Sequence, residues 1–246
     1  MENRLLSGSD SLVDEVAGPP ERKANIQNYD LVLKSLQAVK AKLEAARPSE
    51  VFTLGGDCGI ELPLVSYIAS LYGNDLGIVW LDAHADANTP QTSPSGYFHG
   101  MPVRCLCGEG DGHVCATGFS RIDPNSLVYV GARALDQPEI QWVRENNIPT
   151  LDGADDLLKF LNERRFKNIF VHLDLDVIDP VEFTSVACPT SGGLSVRHIT
   201  SVLEMLSKNF HVAGATLTEC TAAVGADLRP IVPLLDWWKR EACNSA

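Results

Sequence analysis

The fold is decided by the stretch Gly77-Ile78-Val79-Trp80-Leu81-Asp82-Ala83-His84-Ala85-Asp86. Its first half is apolar without alternation, which is typical of a strand buried on both faces. Its second half carries three potential metal ligands at alternating positions, Asp82, His84 and Asp86. Because alternate side chains of an extended segment point to one face, we expect these three to converge. Open α/β sheets place their binding sites at the carboxyl ends of such strands.

The composition indicates a single α/β domain that binds neither nucleic acid nor membrane. The chain has 246 residues, 45% of them hydrophobic, which is enough for a sizeable core. Its net charge of −12 disfavours nucleic acid and anionic membranes as partners. No apolar stretch approaches the ~20 residues of a membrane span, and the N-terminus lacks the apolar core of a signal peptide. The seven cysteines follow no scaffold spacing, so we expect a cytoplasmic protein with reduced thiols.

Hydrophobic periodicity predicts strands that alternate with helices along the chain. Such an alternation implies a mainly parallel sheet covered on both faces, with right-handed crossovers. Residues 1–22 are polar and are predicted to form an arm that precedes a single domain of residues 23–246. Strands are predicted at 50–54, 76–81, 127–130, 148–151, 169–175 and 212–217, and helices at 25–46, 59–72, 99–107, 138–146, 155–165, 195–207 and from 227 onward.

Polar residues that suit metal coordination follow four of the predicted strands. A single Asp at a strand end is often a helix N-cap or a turn residue. Carboxylates that meet at one sheet edge, however, cannot all ionise without a counter-charge, and two divalent cations would balance four of them. Oxygen ligands with an imidazole suit an ion such as Mn(II). The residues concerned are Asp57 and Cys58, then Asp82, His84 and Asp86, then Asp174 and Asp176, and finally Glu219.

Three other binding motifs do not fit the sequence. Residues 82–88 lack the Gly and the distant Glu of an EF-hand calcium loop. Gly55-Gly56-Asp57-Cys58 is not followed by the Gly-Lys-Ser/Thr of a phosphate-binding P-loop, and no dinucleotide fingerprint is present.

The chain resembles the ureohydrolase family, which includes arginase, agmatinase and formiminoglutamase. The resemblance extends over residues 50–240, and its substrate loop, Ser95-Gly96-Tyr97-Phe98-His99-Gly100, is closest to that of arginase. It implies a three-layer α/β/α sandwich with a binuclear manganese site at the sheet edge. The family's usual first strand has no counterpart in residues 1–22. The matching motifs are Gly55-Gly56-Asp57, Leu81-Asp82-Ala83-His84-Ala85-Asp86 and Leu173-Asp174-Leu175-Asp176-Val177-Ile178-Asp179-Pro180.

The resemblance also implies metal-binding roles for individual residues. Asp82 and Asp174 would bridge two Mn(II) ions. His84 and Asp176 would complete the shell of the second ion, and Asp86 would bind the first. A metal-bridging hydroxide, whose pKa the two ions lower, would then attack the guanidinium carbon of the substrate. Asp86 would accept a hydrogen bond from that hydroxide.

Further residues match family positions that contact a small guanidino substrate. His99 resembles the histidine that delivers a proton to the leaving amine. Glu219 matches the acid that pairs with the guanidinium group. The loop residues resemble those that hold an α-carboxylate by neutral hydrogen bonds, and the acids resemble those that bind the α-amino group. The predicted substrate-binding residues are Asn88, Ser93, Ser95, Asp136 and Glu139, with Thr89 as a further loop residue.

Three positions depart from the arginase pattern. Cys58 stands where the family carries a His ligand for the first metal, and a thiolate there favours Zn(II), Co(II) or Ni(II) over Mn(II). Alternatively, Cys58 is a small buried residue and the remaining ligands bind both ions. Tyr97 stands where arginases carry Asn, and Cys188 where a Thr is usual, and both differences bear on the choice of substrate.

We therefore predict a metal-dependent hydrolase that converts L-arginine to ornithine and urea. One alternative is an agmatinase or another guanidino-compound hydrolase, in which the substrate lacks an α-carboxylate. The other is a catalytically impaired protein of the same fold that serves as a binding subunit. The family resemblance also implies a homo-oligomer, a trimer or a hexamer.

Two further groups of residues lie outside these motifs. Cys105, Cys107, His113 and Cys115 are compatible with a structural zinc site, a disulfide or free thiols, and their spacing favours free thiols. His172 lies in a predicted strand and is expected to be a packed core residue rather than a ligand.

Overall fold

The computed structural model describes residues 21–223 and 225–244. A short antiparallel ladder of β1 (Arg22–Lys23) and β2 (Ile26–Gln27) precedes the main sheet. That sheet has five strands, and all of its neighbouring pairs are parallel, in the order β3-β7-β6-β4-β5. The strands are β3 (Val51–Leu54), β4 (Leu76–Leu81), β5 (Leu127–Val130), β6 (Asn168–Asp174) and β7 (His211–Thr218).

Helices connect the strands, and several begin at the residues that favour a helix start. Ser195 caps one helix by accepting a hydrogen bond from the backbone N–H of His198, and Asp136 and Glu139 form a capping box on another. The helices are α1 (Tyr29–Ala46), α2 (Glu61–Tyr72), α3 (Pro102–Leu106), α4 (Gly112–Cys115), α5 (Gln137–Glu145), α6 (Ala154–Glu163), α7 (Val196–Asn209) and α8 (Val232–Asn244).

The sheet separates two hydrophobic cores. Alternate residues of β4 enter different cores, since Ile78 and Trp80 pack with α1, α2 and α3, whereas Val79 and Leu81 pack with α6, α7 and α8. This two-sided burial explains the unbroken apolar run of β4. On the second face, Trp238 donates a hydrogen bond to the Ala215 carbonyl and anchors α8 on β7. The three-layer sandwich predicted from the sequence is confirmed.

One predicted strand is not formed, and the predicted arm lies almost entirely outside the described residues. Residues 148–151 do not form a strand, because only a single bridge joins Thr150 to Tyr129. The predicted arm, and with it the prediction about the family's first strand, falls almost entirely on residues 1–20, which lie outside the described part of the chain. No helix among the described residues is both long and apolar enough to cross a membrane.

The cysteine cluster also differs from the prediction. The structure joins Cys105 at α3 to Cys115 at α4 in a disulfide, with Cα atoms 5.3 Å apart. The prediction of free thiols is therefore wrong for this pair, although Cys107 carries a free thiol. A spacing of ten residues reveals no contact, because only the packing of α3 against α4 brings the two cysteines together.

Candidate active site

The turn after β4 brings Asp82 and His84 together. The strand ends at Leu81, so the convergence that we predicted from strand alternation arises instead from a hydrogen-bonded turn. Asp82 Oδ1 accepts the backbone N–H of His84 at 2.7 Å, and Asp176 Oδ1 accepts the backbone N–H of Ala83 at 3.0 Å. These two bonds fix the turn against the end of β6.

His84 lies between two carboxylates at the mouth of this turn. Its Nδ1 is 2.9 Å from Asp176 Oδ2 and 3.4 Å from Asp82 Oδ1. The side chain is 31% exposed, whereas both carboxylates are buried. The hydrogen bonds and charges of the two acids outweigh burial and raise the pKa of His84 to about 11. The three side chains offer donor atoms within 4.8 Å of one another.

Asp86 and Glu219 adopt left-handed backbone conformations, and both side chains lie at the site. Their φ angles are 50° and 60°, which non-glycine residues adopt rarely and usually at sites where the surroundings enforce them. Asp86 is buried, and its Oδ2 has no hydrogen-bond partner within the described ranges. A buried carboxylate oxygen without a partner is unfavourable unless a ligand completes it.

Cys58 contacts both Asp174 and Glu219. Its Sγ donates to Asp174 Oδ2 at 3.0 Å, and its backbone N–H donates to Glu219 Oε1 at 3.1 Å. Burial, followed by the charges of Asp174, Asp86 and Asp82, raises the pKa of the thiol well above its usual value. Cys58 thus acts as a hydrogen-bond donor to Asp174 in this structure.

The buried carboxylates repel one another. Burial and the charge of Asp82 raise the pKa values of Asp86, Asp174 and Asp176. Burial also opposes ionisation of Asp82 itself, but the nearby His172 and His84 rings outweigh it and lower the Asp82 pKa. Bound cations relieve such repulsion. The clustered oxygens, one imidazole and the unpartnered Asp86 oxygen therefore fit divalent metal ions.

A layer of polar residues that the sequence interpretation missed lies beneath the carboxylates. Adjacent strands place Trp80, His172 and Thr216 side by side in the sheet. His172 Nδ1 is 2.8 Å from Glu61 Oε1, and its Nε2 is 3.5 Å from Asp82 Oδ2. Thr216 also donates to Glu61. His172 lies two positions before Asp174 on β6, a spacing that places both side chains on the same face.

His172 is fully buried, as predicted, but it is not an ordinary apolar packing residue. Its ring lies against that of Trp80, with centroids 3.9 Å apart. The sequence signal for this role is its place two residues before Asp174, which puts both side chains on one face of β6.

His99 and Glu219 form a further pair in the lining of the same cavity. His99 Nδ1 is 3.3 Å from Glu219 Oε1. This hydrogen bond outweighs burial and raises the pKa of His99. His99 therefore retains its proton to a higher pH than an isolated histidine does, and it faces the same cavity as the carboxylates.

The site opens into a cavity of about 530 Å³. Asn88 Nδ2 donates to Asp136 Oδ2 at 3.0 Å, which ties the loop after β4 to the start of α5. Asp82 and Thr89 lie outside the lining, and so does Tyr97, which is 51% exposed and packs against the His99 ring. The predicted residues that line the cavity are Cys58, His84, Asp86, Asn88, Ser93, Ser95, His99, Asp136, Glu139, Asp174, Asp176 and Glu219.

The Glu139 carboxylate accepts hydrogen bonds from two backbone N–H groups. Its Oε1 accepts the N–H of Ala87, and its Oε2 accepts the N–H of Asp136. The first contact ties the loop after β4 to α5, and the second belongs to the capping box at the start of α5. Any contact of Glu139 with a substrate therefore comes in addition to this positioning, and its predicted binding role stays a prediction.

A family model described as Arginase family matches residues 15–228. The chain belongs to the arginase family. This membership confirms the resemblance found in the sequence, and it confirms that the chain is a hydrolase of the arginase type. Asp82, His84 and Asp176, to which the resemblance assigns metal-binding roles, meet in the cluster described above.

Individual arginases match most of the chain. The arginase of Staphylococcus aureus (strain COL) is 32% identical over 215 residues, which cover 82% of this chain and 71% of that protein. The arginase of Bacillus caldovelox is 35% identical over 240 residues, which cover 88% of this chain and 78% of that protein. The structure of Entamoeba histolytica arginase in complex with L-ornithine superposes with a TM-score of 0.81 at 23% identity, covers 93% of this chain and 81% of that one, and supports the fold.

Proposed function

We propose that this chain hydrolyses L-arginine to L-ornithine and urea at a centre of two divalent metal ions. The observation that carries the proposal is the unpartnered, buried Asp86 oxygen, which lies among repelling carboxylates in the cavity that also contains His99 and Glu219. Asp82, His84, Asp86, Asp174 and Asp176 would hold the ions. Bound metals supply an activated water nucleophile at neutral pH.

The protein's own residues position the substrate and move the proton. The known contacts of Glu219 use Oε1, which leaves Oε2 to accept a hydrogen bond from the substrate guanidinium. Water adds to the guanidinium carbon, and the bond from that carbon to the δ-nitrogen of ornithine breaks. The departing nitrogen needs a proton, which we assign to His99 because it lines the cavity and because its hydrogen bond to Glu219 raises its pKa.

Further neutral and acidic groups of the cavity lining suit an amino acid. Asn88, Ser93 and Ser95 would donate to an α-carboxylate, and Asp136 would accept from an α-amino group. The bound L-ornithine of the Entamoeba histolytica arginase supports an amino-acid ligand for this fold. Tyr97 lies outside the cavity lining, so its ring does not occupy the space for the carboxylate.

The ions at this centre are proposed to be Mn(II), with Zn(II), Co(II) and Ni(II) as alternatives that the Cys58 position leaves open. The homo-oligomer, the cytoplasmic location and the division into an arm and one domain also stay predictions. Light scattering of the purified protein measures the oligomer directly.

The test is urea release from L-arginine, agmatine and other guanidino compounds, with each of the four metals supplied in turn. We expect L-arginine to give the highest kcat/KM. Faster turnover of agmatine would assign the chain to the agmatinases. Absence of turnover with every metal, in a protein that gives a cooperative thermal transition, would favour the non-catalytic binding subunit.

A further inference from the structure

The first metal position lacks the imidazole that its family pattern supplies. Cys58 occupies that place, and its Sγ donates a hydrogen bond to Asp174 Oδ2 at 3.0 Å. A protonated thiol is a poor metal ligand. The donors that remain nearby from the family pattern are the carboxylates of Asp82, Asp86 and Asp174.

A different histidine reaches the same place from within the sheet. His172 lies on β6, two residues before Asp174 and on the same face. Its side chain is completely buried, and its Nε2 has no hydrogen-bond partner among residues 21–223 and 225–244. One ligand atom each from Cys58, Asp82, Asp86 and His172 lies within 4.8 Å of the others. Two of these four side chains, His172 and Asp86, carry a buried atom that no described residue satisfies.

We propose that Nε2 of His172 is a ligand of the first metal ion and supplies, from β6, the imidazole that position 58 lacks. This inference rests on the metal centre of the proposed function but not on the identity of the substrate. The first ion would thus bind Asp82, Asp86, Asp174 and His172, a donor set of carboxylates and one imidazole that suits Mn(II) and Co(II).

The surroundings of His172 orient its ring as metal-binding histidines are oriented. A ligating imidazole usually donates its other ring N–H to a carboxylate, which fixes the tautomer. Nδ1 of His172 meets Glu61 Oε1 at 2.8 Å, so a proton on Nδ1 leaves the Nε2 lone pair directed at the carboxylates. Thr216 holds Glu61 in place from β7, and Trp80 covers the ring from β4.

The rival explanation is a buried ion pair without a metal. In that case His172 is an imidazolium between Glu61 and Asp82, and Nε2 carries a proton toward the 3.5 Å contact. The two explanations differ in the protonation of Nε2 and in the number of histidines bound to metal, so both can be measured.

Metal analysis and paramagnetic proton NMR of the Co(II)-loaded protein distinguish a metal-bound His172 from a buried ion pair. A histidine bound to Co(II) through Nε2 shows a strongly shifted Nδ1–H resonance. In His172 that proton is buried and hydrogen-bonded, so we expect its signal to persist in D2O. His172→Asn should remove the signal and weaken the first site at least about tenfold while the second ion stays bound. The matched control His113→Asn, outside the cavity lining, should retain the signal and two ions.

A double variant shows whether loss of metal in His172→Asn results from the missing ligand or from misfolding. Cys58→His combined with His172→Ser returns the imidazole to position 58, and we expect it to recover a content of two ions. The inference is overturned if wild type binds two Co(II) ions without a protected shifted ring proton, or if His172→Asn keeps both ions with unchanged affinity. If wild type binds no metal at all, the proposed function fails together with this inference. If it binds two ions without His172, only this inference fails.

Discussion

The His84 side and the Cys58 side of the candidate metal centre differ in where their donors originate. On the His84 side, Asp82 and His84 belong to one short turn that a hydrogen bond between them stabilises. The backbone N–H of Ala83 in the same turn donates to Asp176. On the Cys58 side, the proposed donors come from inside β6 and from the left-handed position of Asp86. A local motif thus secures one ion site, whereas tertiary packing must assemble the other.

The largest effect is expected where the two sides share a donor. Asp82 belongs to the donor groups of both sides, so Asp82→Asn should lose both ions. Loss of metal activation removes several kcal/mol of transition-state stabilisation, which corresponds to about a thousandfold or more in kcat/KM. Metal analysis and urea release check this, with the exposed Asp123→Asn as the control. Retention of one ion at full affinity would show that the sides are independent.

The second effect concerns catalysis rather than metal binding. His99→Asn should lower kcat about a hundredfold because the leaving nitrogen loses its proton donor, while both ions stay bound. Steady-state kinetics together with metal content measure this. A variant that lost an ion along with its activity would place His99 in the metal centre instead.

The pH dependence of kcat tests the role of His99 as proton donor, because the contact with Glu219 affects the His99 pKa. The hydrogen bond to Glu219 raises the pKa of His99, so the active, protonated form persists to higher pH. Glu219→Gln removes the negative partner, and the His99 pKa should fall. We therefore expect the alkaline limb of the kcat-against-pH profile to move to lower pH. We also expect KM to rise, because Glu219 is proposed to bind the substrate guanidinium. An unmoved alkaline limb would contradict the assignment of His99 as the proton donor.

A smaller effect should separate the two sides. Glu61 contacts His172 but lies outside the cavity lining, so Glu61→Gln should weaken only the Cys58-side ion, by about tenfold. Titration with Co(II), followed calorimetrically, resolves the two binding steps. Equal weakening of both steps would show that Glu61 acts on the general stability of the sheet.

The smallest effect is expected at Tyr97, where the chain departs from arginases. Its exposed ring lies outside the cavity lining, so Tyr97→Asn should change KM for L-arginine by no more than about twofold. Kinetics with L-arginine and agmatine measure it. A large gain for L-arginine alone would show that this ring limits access of the α-carboxylate.

Much of the fold was predictable because it follows from periodicity. The unbroken apolar run of β4 predicts a strand buried on both faces, and β4 and β5 have the predicted bounds. Residues 148–151 also looked like a strand, but pairing along a strand requires a neighbour with free backbone groups over several residues. Thr150 finds only one bridge to Tyr129.

The candidate site was predictable where its residues are close in sequence. Asp82, His84 and Asp86 share one motif, and Asp174 and Asp176 follow another predicted strand that ends at the same edge of the sheet. The Glu61–His172 contact joins residues 111 positions apart and follows no known spacing, so no pattern in the sequence could reveal it. The Cys105–Cys115 disulfide was missed for a related reason, since a short separation says nothing about distance without the packing of α3 and α4.

The sequence by itself determined the alternation of strands and helices, the edge at which the acids meet and the membership of the arginase family. These properties depend on local periodicity and on motifs of a few residues. The tertiary structure alone decided that Cys58 donates to Asp174 and that His172 lies between Glu61 and Asp82. Such contacts depend on strand register and on burial, which raise or lower each pKa through neighbours that are distant in the chain.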